Sequence, residues 1–204
     1  MADKEILIFV EGPSDKVFLE VYLYFLEDFP IKNFKVKDVK GKDNLSKRLL
    51  EIEKYDKTLI IFDANKDYES NKKEILTVVS KRKQTISEEQ IFLFPNNQDD
   101  GDLETLLLKI AKHDEFLKCF EGYLECIKSK EHHEPIKNIR KNMLYAYLEA
   151  LGLENLTKTN IDVFDSKGKI KEKNKEEYEK LKEVVDFNSK SLIPLKNFLG
   201  QFAK

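Results

Sequence analysis

The chain has 204 residues, enough for one principal core with an appendage, and 36 Lys and Arg nearly balance 38 Asp and Glu, for a formal net charge of −2. That balance excludes a global attraction for nucleic acid, so any such binding rests on a local basic patch or bridging cations. No apolar run approaches the ~20 residues needed to cross a bilayer, and Met1-Ala2-Asp3-Lys4-Glu5 lacks the segments of a secretory signal, so the expected location is cytoplasmic and no membrane partner is expected.

Residues 5–10 form a continuous apolar run ending in Glu11, the pattern of a strand covered on both faces. Glu11-Gly12-Pro13-Ser14 is a turn. Ser14 is the expected N-cap of a helix in which Val17, Phe18, Val21, Tyr22 and Phe25 recur at helical spacing. Residues 34–39 alternate apolar with polar and read as a more exposed strand, followed by a helix from Asp43 or Asn44 with Leu45, Leu49 and Ile52 as its stripe.

Lys57 to Phe62 is the third strand and stops at Asp63; a helix is expected over 70–83, and a fourth strand from Gln90 to Phe94 ends at Pro95. Strands alternating with helices over short connections predict a mostly parallel α/β sheet with right-handed crossovers. From Asp102 onward the pattern is helical: Leu103–Lys112, His113–Lys128, Ile136–Gly152, Glu176–Val185 and Ser191–Phe202. The expected organisation is an α/β domain over 1–112 and a helical extension over 113–204 packed on the same core. The Lys/Glu-rich stretch 166–180 reads as a solvated loop leading into a helix.

Cys119 and Cys126 fall on one helix face too far apart to bond to each other and are expected to be buried thiols. The stripe Phe116, Phe120, Tyr123 reads as core, and His132-His133 as surface.

Two strands end directly in a carboxylate, Glu11 and Asp63, and the carboxyl ends of parallel strands line one crevice. Asp67 follows at the same end, with Asn65 between them as a further oxygen ligand. Hard cations take oxygen ligands and keep several waters, so two or three carboxylates suit Mg²⁺ or Mn²⁺. Glu104, at the start of the helix after the fourth strand, is an added candidate ligand. Asp102 reads as that helix's cap and Glu104 equally as a favourable first-turn acid.

At these residues the sequence resembles the TOPRIM superfamily. Val10-Glu11-Gly12-Pro13-Ser14-Asp15 is similar to its Glu-Gly-x-x-Asp signature, and Ile60-Ile61-Phe62-Asp63-Ala64-Asn65-Lys66-Asp67 to its Asp-x-Asp signature. Phe94 to Glu104 and the closing Phe187 to Phe202 resemble an uncharacterised TOPRIM-like family related to OLD-type nucleases. The resemblance implies a Rossmann-like sheet and Mg²⁺-dependent hydrolysis of nucleic acid, in phage defence or nucleic-acid processing. By the resemblance Glu11 and Asp63 inherit the catalytic and metal-binding roles; their position adds Asp67 as a third catalytic acid and Asn65, Asp67 and Glu104 as further metal ligands, and Gly12, Asp15, Lys40 and Lys42 are the candidate substrate contacts. Asn65 departs from the signature, where an aspartate is expected; one missing charge at ~4 Å removes roughly 4 kcal/mol of attraction per cation charge at an effective dielectric near 20.

The nearest basic concentration is Lys35, Lys37, Lys40, Lys42, Lys47 and Arg48. No phosphate-cradling Gly-x-x-x-x-Gly-Lys-Ser/Thr loop is present, so an accompanying ATPase is expected to be a separate protein. The competing reading is a TOPRIM-fold binding or regulatory module, weak or inactive in catalysis, that partners such an ATPase. DNA or RNA is the expected substrate, and self-association stays open.

Overall fold

The computed structural model describes residues 5–26, 34–80, 86–157 and 170–202. The chain forms two compact units, the first comprising 1–106 and 188–204 and the second 107–187. The end of the chain thus belongs with the sheet rather than with the preceding helices.

The first unit holds a four-stranded, fully parallel sheet of order β2-β1-β3-β4, with β1 at Ile6–Val10, β2 at Phe34–Asp38, β3 at Lys57–Asp63 and β4 at Ile91–Phe94. The expected α/β class with a parallel, Rossmann-like sheet is what the chain adopts. Every side chain of β1 and β4 is buried, because helices cover both faces. Period-two alternation sends Leu7, Phe9, Ile60, Phe62, Ile91 and Leu93 to one face, where they join Leu45, Leu49, Ile52, Ile75 and Val79 from the covering helices. Phe92 and Phe94 point to the other face, where Phe94 meets Phe18 edge-on and Phe92 lies 5.3 Å from Phe198, ring to ring.

The helices of this unit are α1 (Pro13–Phe25), a single turn α2 (Leu45–Arg48), α3 (Tyr68–Ser80), α4 (Leu103–Lys109), which runs across the boundary between units, and α8 (Ile193–Gly200). Several starts differ from expectation for local reasons. Gly12, not Ser14, caps α1: Pro13 takes the first helical position and the Asp15 carboxylate reaches back to the Gly12 N–H at 2.7 Å. The helix expected after Asp43 is mostly 3₁₀, Lys42–Asn44 and Leu49–Lys54 flanking α2. Helix α3 starts two residues early because Asp67 accepts the Ser70 N–H at 2.9 Å and Asp100 accepts the Tyr68 N–H at 2.7 Å. The expected end of α3 beyond Ser80 lies outside the described residues.

The second unit contains α5 (Asp114–Lys128), α6 (Ile139–Ala150) and α7 (Glu172–Val184). Tyr147 of α6 donates to the Val184 carbonyl at 2.6 Å, and Ala111 pairs with Val185. Helix α7 occupies much of the stretch expected as loop, since Asn174 and Tyr178 are buried at helical spacing; residues 166–169 of that stretch lie outside the described residues. Cys119 and Cys126 are exposed, not buried, and Phe116 and Tyr123 are 37% and 52% exposed rather than core. The apolar arc of α5 is wider than the surface it packs on: Leu124 alone in this helix is buried. Among the described residues, no helix is long and apolar enough to cross a membrane.

Candidate functional site

Strands β1 and β3 are neighbours, yet β1 leads outward to β2 and β3 to β4, so the chain reverses its direction of travel across the sheet between them. The carboxyl edge at such a switch point opens a crevice where ligands of α/β proteins bind. Glu11 and Asp63 stand on that edge, one residue after β1 and at the last position of β3.

Around Glu11, three backbone segments converge. The Val39 N–H bonds the Val10 carbonyl and the Gly41 N–H the Glu11 carbonyl, each at 2.9 Å, which draws the connection after β2 over the site. Lys42 follows, its Nζ 2.6 Å from both Asn71 Oδ1 and Glu74 Oε2. Burial raises the Glu11 carboxyl above its usual range, partly offset by a hydrogen bond from the Asp63 backbone and by the Lys42 charge, while Asp43 and Glu74 push it up again. Glu11 Oε2 is buried and, among the described residues, has no hydrogen-bond partner.

Asp63 is more strongly perturbed. Its carboxyl is pushed up to about 9, first by burial, then by the negative charges of Asp15 and Glu11, with Glu104 adding to them; the Leu103 N–H, donating to Oδ1 at 3.0 Å, opposes the shift. The carboxylates of Asp15, Glu11 and Glu104 thus all act on Asp63, and Lys42 is the cation that acts on Glu11.

The other expected site residues have different partners. Asp67 is exposed and caps α3 through Ser70. Asn65 is exposed with a φ of 57°, its N–H bonded to the Gly101 carbonyl at 2.6 Å, so it shapes the turn beyond Asp63. Lys40 is exposed, also left-handed, and its carbonyl accepts from Asn44 at 2.7 Å. Gly12 and Asp15 form the cap of α1. Asp102 accepts the Thr105 N–H at 2.8 Å, the capping role expected of it. In the basic concentration, Lys37 and Arg48 both pair with Glu51 and Lys42 with Glu74, leaving less positive charge than the sequence suggests.

Sequence reasoning missed Asn71. Its Nδ2 donates to the carbonyls of Ala64 at 2.7 Å and Asp67 at 3.0 Å while its Oδ1 receives Lys42, so one side chain ties the acidic loop to the site's cation. The only hint in sequence is its place four residues after Asp67, one helical turn along α3.

Among the described residues, no three of His, Cys, Asp or Glu are gathered closely enough to cage a metal ion. Mg²⁺ does not need such a cage, since one or two carboxylates with waters and substrate phosphates hold it. The buried, unpartnered Glu11 Oε2 beside Asp63, in an all-oxygen donor set, fits a hard cation. No curated protein and no solved structure matches the chain. A family model described as protein of unknown function, DUF3226, matches residues 5–204, and the chain belongs to that family.

Proposed function

We propose that this chain is a cytoplasmic, divalent-cation-dependent phosphodiesterase of the TOPRIM type acting on nucleic acid. The observation that carries the reading is the unpartnered, buried Glu11 Oε2 next to an Asp63 carboxyl that burial and neighbouring acids hold protonated well above neutrality. Two buried acids at a switch-point crevice, only partly offset by Lys42 and the Leu103 N–H, are a costly arrangement for a fold that has no use for them.

In this reading Glu11 and Asp63 hold Mg²⁺ or Mn²⁺, and Glu104 acts on the cluster from the first turn of α4. The cation would supply polarisation of a phosphoryl oxygen and would acidify a water. The Leu103 N–H fixes Asp63 through Oδ1 and leaves the other oxygen for a ligand. Lys42, steadied by Asn71 and Glu74, offers its charge to the substrate backbone.

A second reading has an observation of its own. Asp67 is used as a helix cap and Asn65 as a turn residue, so the acids beyond Asp63 are spent on structure, as suits a binding module partnering a separate ATPase. Calorimetric titration with Mg²⁺ and Mn²⁺, followed by hydrolysis assays on single- and double-stranded DNA and RNA, separates the two. Binding with turnover that Glu11→Gln and Asp63→Asn each reduce at least a hundredfold supports the nuclease. Binding without turnover on any substrate supports the module, and no binding of either ion removes the metal centre.

A further inference from the structure

Helix α5 carries an exposed strip that no part of the proposed catalytic reading uses. Phe116, Cys119, Tyr123 and Cys126 follow one another at intervals of three, four and three residues, the spacing of a single seam along a helix. Phe116 and Tyr123 are 37% and 52% exposed, and both cysteines are exposed. Leu124, on a different side of the helix, is the buried anchor, and α6 is the neighbour within the unit. Phe116 meets Tyr147 of α6 only edge-on, at 6.5 Å between ring centres.

We propose that this strip is a self-association surface on which a second copy of the chain docks through its own α5, antiparallel, about a two-fold axis near the middle of the helix. Size alternation argues for that occupant. The seam reads large, small, large, small, so antiparallel overlap over the full length of α5 sets Phe116 against the second copy's Cys126 and Tyr123 against its Cys119, each twice. Parallel overlap would instead set Phe116 on Phe116 and Cys119 on Cys119, leaving ridges opposed and gaps between them. The thiols suit the role, since sulfur packs favourably at aromatic rings.

Charge argues the same way. Glu115 flanks the strip at its beginning and Lys130 at its end, both exposed. In that register each Glu115 stands opposite the other copy's Ile127, about one helical turn from its Lys130 and within reach of that long side chain, whereas parallel docking opposes like charges. Gly122, beside the middle of the seam, has open space where a side chain would stand, so nothing there holds the helices apart. Such a surface is isologous, each patch complementary to itself. Four seam residues per copy suit a weak, concentration-dependent dimer rather than an obligate one.

Sedimentation of the full chain across a concentration series is the test. The expected result is a reversible monomer–dimer equilibrium whose dissociation constant rises at least tenfold in Tyr123→Glu with the melting temperature unchanged. Glu115→Lys and Lys130→Glu should each weaken association, and the two changes combined in one chain should restore it. A chain that stays monomeric at all concentrations overturns the proposal. So does a combined variant no tighter than either single change, which would mean that these ends do not meet.

Discussion

Asp63 Oδ1 accepts the Leu103 N–H at 3.0 Å, tying the acid that closes β3 to the first residue of α4. Glu11 follows β1 on the same edge, and its Oε2 is buried and, among the described residues, without a hydrogen-bond partner. Asp63 is therefore positioned by backbone, and a cation would find it already oriented.

The stability of the protein should fall as pH rises through neutrality. The Asp63 carboxyl moves from an ordinary 3.8 to about 9 in the folded chain, so the folded state retains a proton that the unfolded state releases. The stabilisation from that proton is complete below the unfolded value and is lost progressively as pH climbs toward the folded one. Asp63→Asn, which mimics the protonated acid, should flatten this decline. The two should melt together only below about pH 3.5, and the gap should widen by roughly 1.4 kcal/mol per pH unit above that, so that between about pH 5 and pH 8 Asp63→Asn gains a further 2 kcal/mol or more on the wild type, near 4–8 °C in melting temperature. Glu11→Gln removes one of the charges that raise Asp63, so it should lower the folded pKa and end the decline at lower pH. Thermal melts in metal-free buffer across this range check all three; equal slopes for wild type and Asp63→Asn would show that Asp63 is not the titrating group.

A divalent cation should reverse that pH dependence. Ligation favours the carboxylate, so Mg²⁺ or Mn²⁺ should release a proton from Asp63 on binding, and the bound fraction should rise between about pH 6 and the folded value of about 9. Melting temperature should increase with ion concentration in the wild type and not in Asp63→Asn. Calorimetry in two buffers of different ionisation enthalpy measures the proton directly, and an identical apparent enthalpy in both would contradict the coupling.

The strands and the Glu11–Asp63 pair were legible in sequence because each rests on a run or a position that one residue at a time can carry. Ile6–Val10 and Leu59–Phe62 are unbroken apolar runs, which only a doubly covered strand accommodates, and an acid ending such a run must sit at the carboxyl edge of the sheet. Asn71 and Asn97 were not legible. Their work is to satisfy particular backbone groups that tertiary structure brings near, and an asparagine in a helix or turn signals no such partner. Cys119 and Cys126 were misread for a related reason: periodicity gives the apolar arc of α5 but not how much of that arc another element covers. Asp67 had two uses that sequence could not separate, and the Ser70 N–H is the partner the fold provides.

Asn97 acts as a substitute neighbour for β4, which is an edge of the sheet. Its N–H donates to the Leu93 carbonyl at 2.7 Å and its Oδ1 accepts the Leu93 N–H at 3.0 Å, filling the positions a further strand would occupy. Its φ of 64° suits asparagine better than alanine. Asn97→Ala should cost about 2 kcal/mol, combining a lost hydrogen bond with backbone strain, and Asn97→Gly about 1, because glycine removes only the bond. Denaturant unfolding gives both values. Equal losses would mean that the left-handed backbone contributes nothing.

Gly101 connects the loop after β4 to the loop after β3, and its substitution should reach the proposed metal centre without touching a ligand. At a φ of 146° its backbone is one that side chains rarely adopt, and a Cβ would lie 3.0 Å from both Pro95 Cδ and Thr105 Oγ1. Gly101→Ala should therefore cost about 2–4 kcal/mol through strain and crowding. The Gly101 carbonyl holds the Asn65 N–H at 2.6 Å, and Asn65 lies two residues beyond Asp63, so relief of the clash should displace the turn that carries the acid. Thr105 cannot yield freely, because its hydroxyl is 2.5 Å from the Asp102 oxygen that caps α4. Mn²⁺ affinity should consequently drop roughly tenfold in a variant that is still folded at low temperature. Thr105→Ala combined with Gly101→Ala should recover part of the stability, since one of the two closest contacts is gone, and partial recovery of Mn²⁺ affinity alongside it would trace the effect to this loop; full affinity in the single variant would uncouple Gly101 from the site.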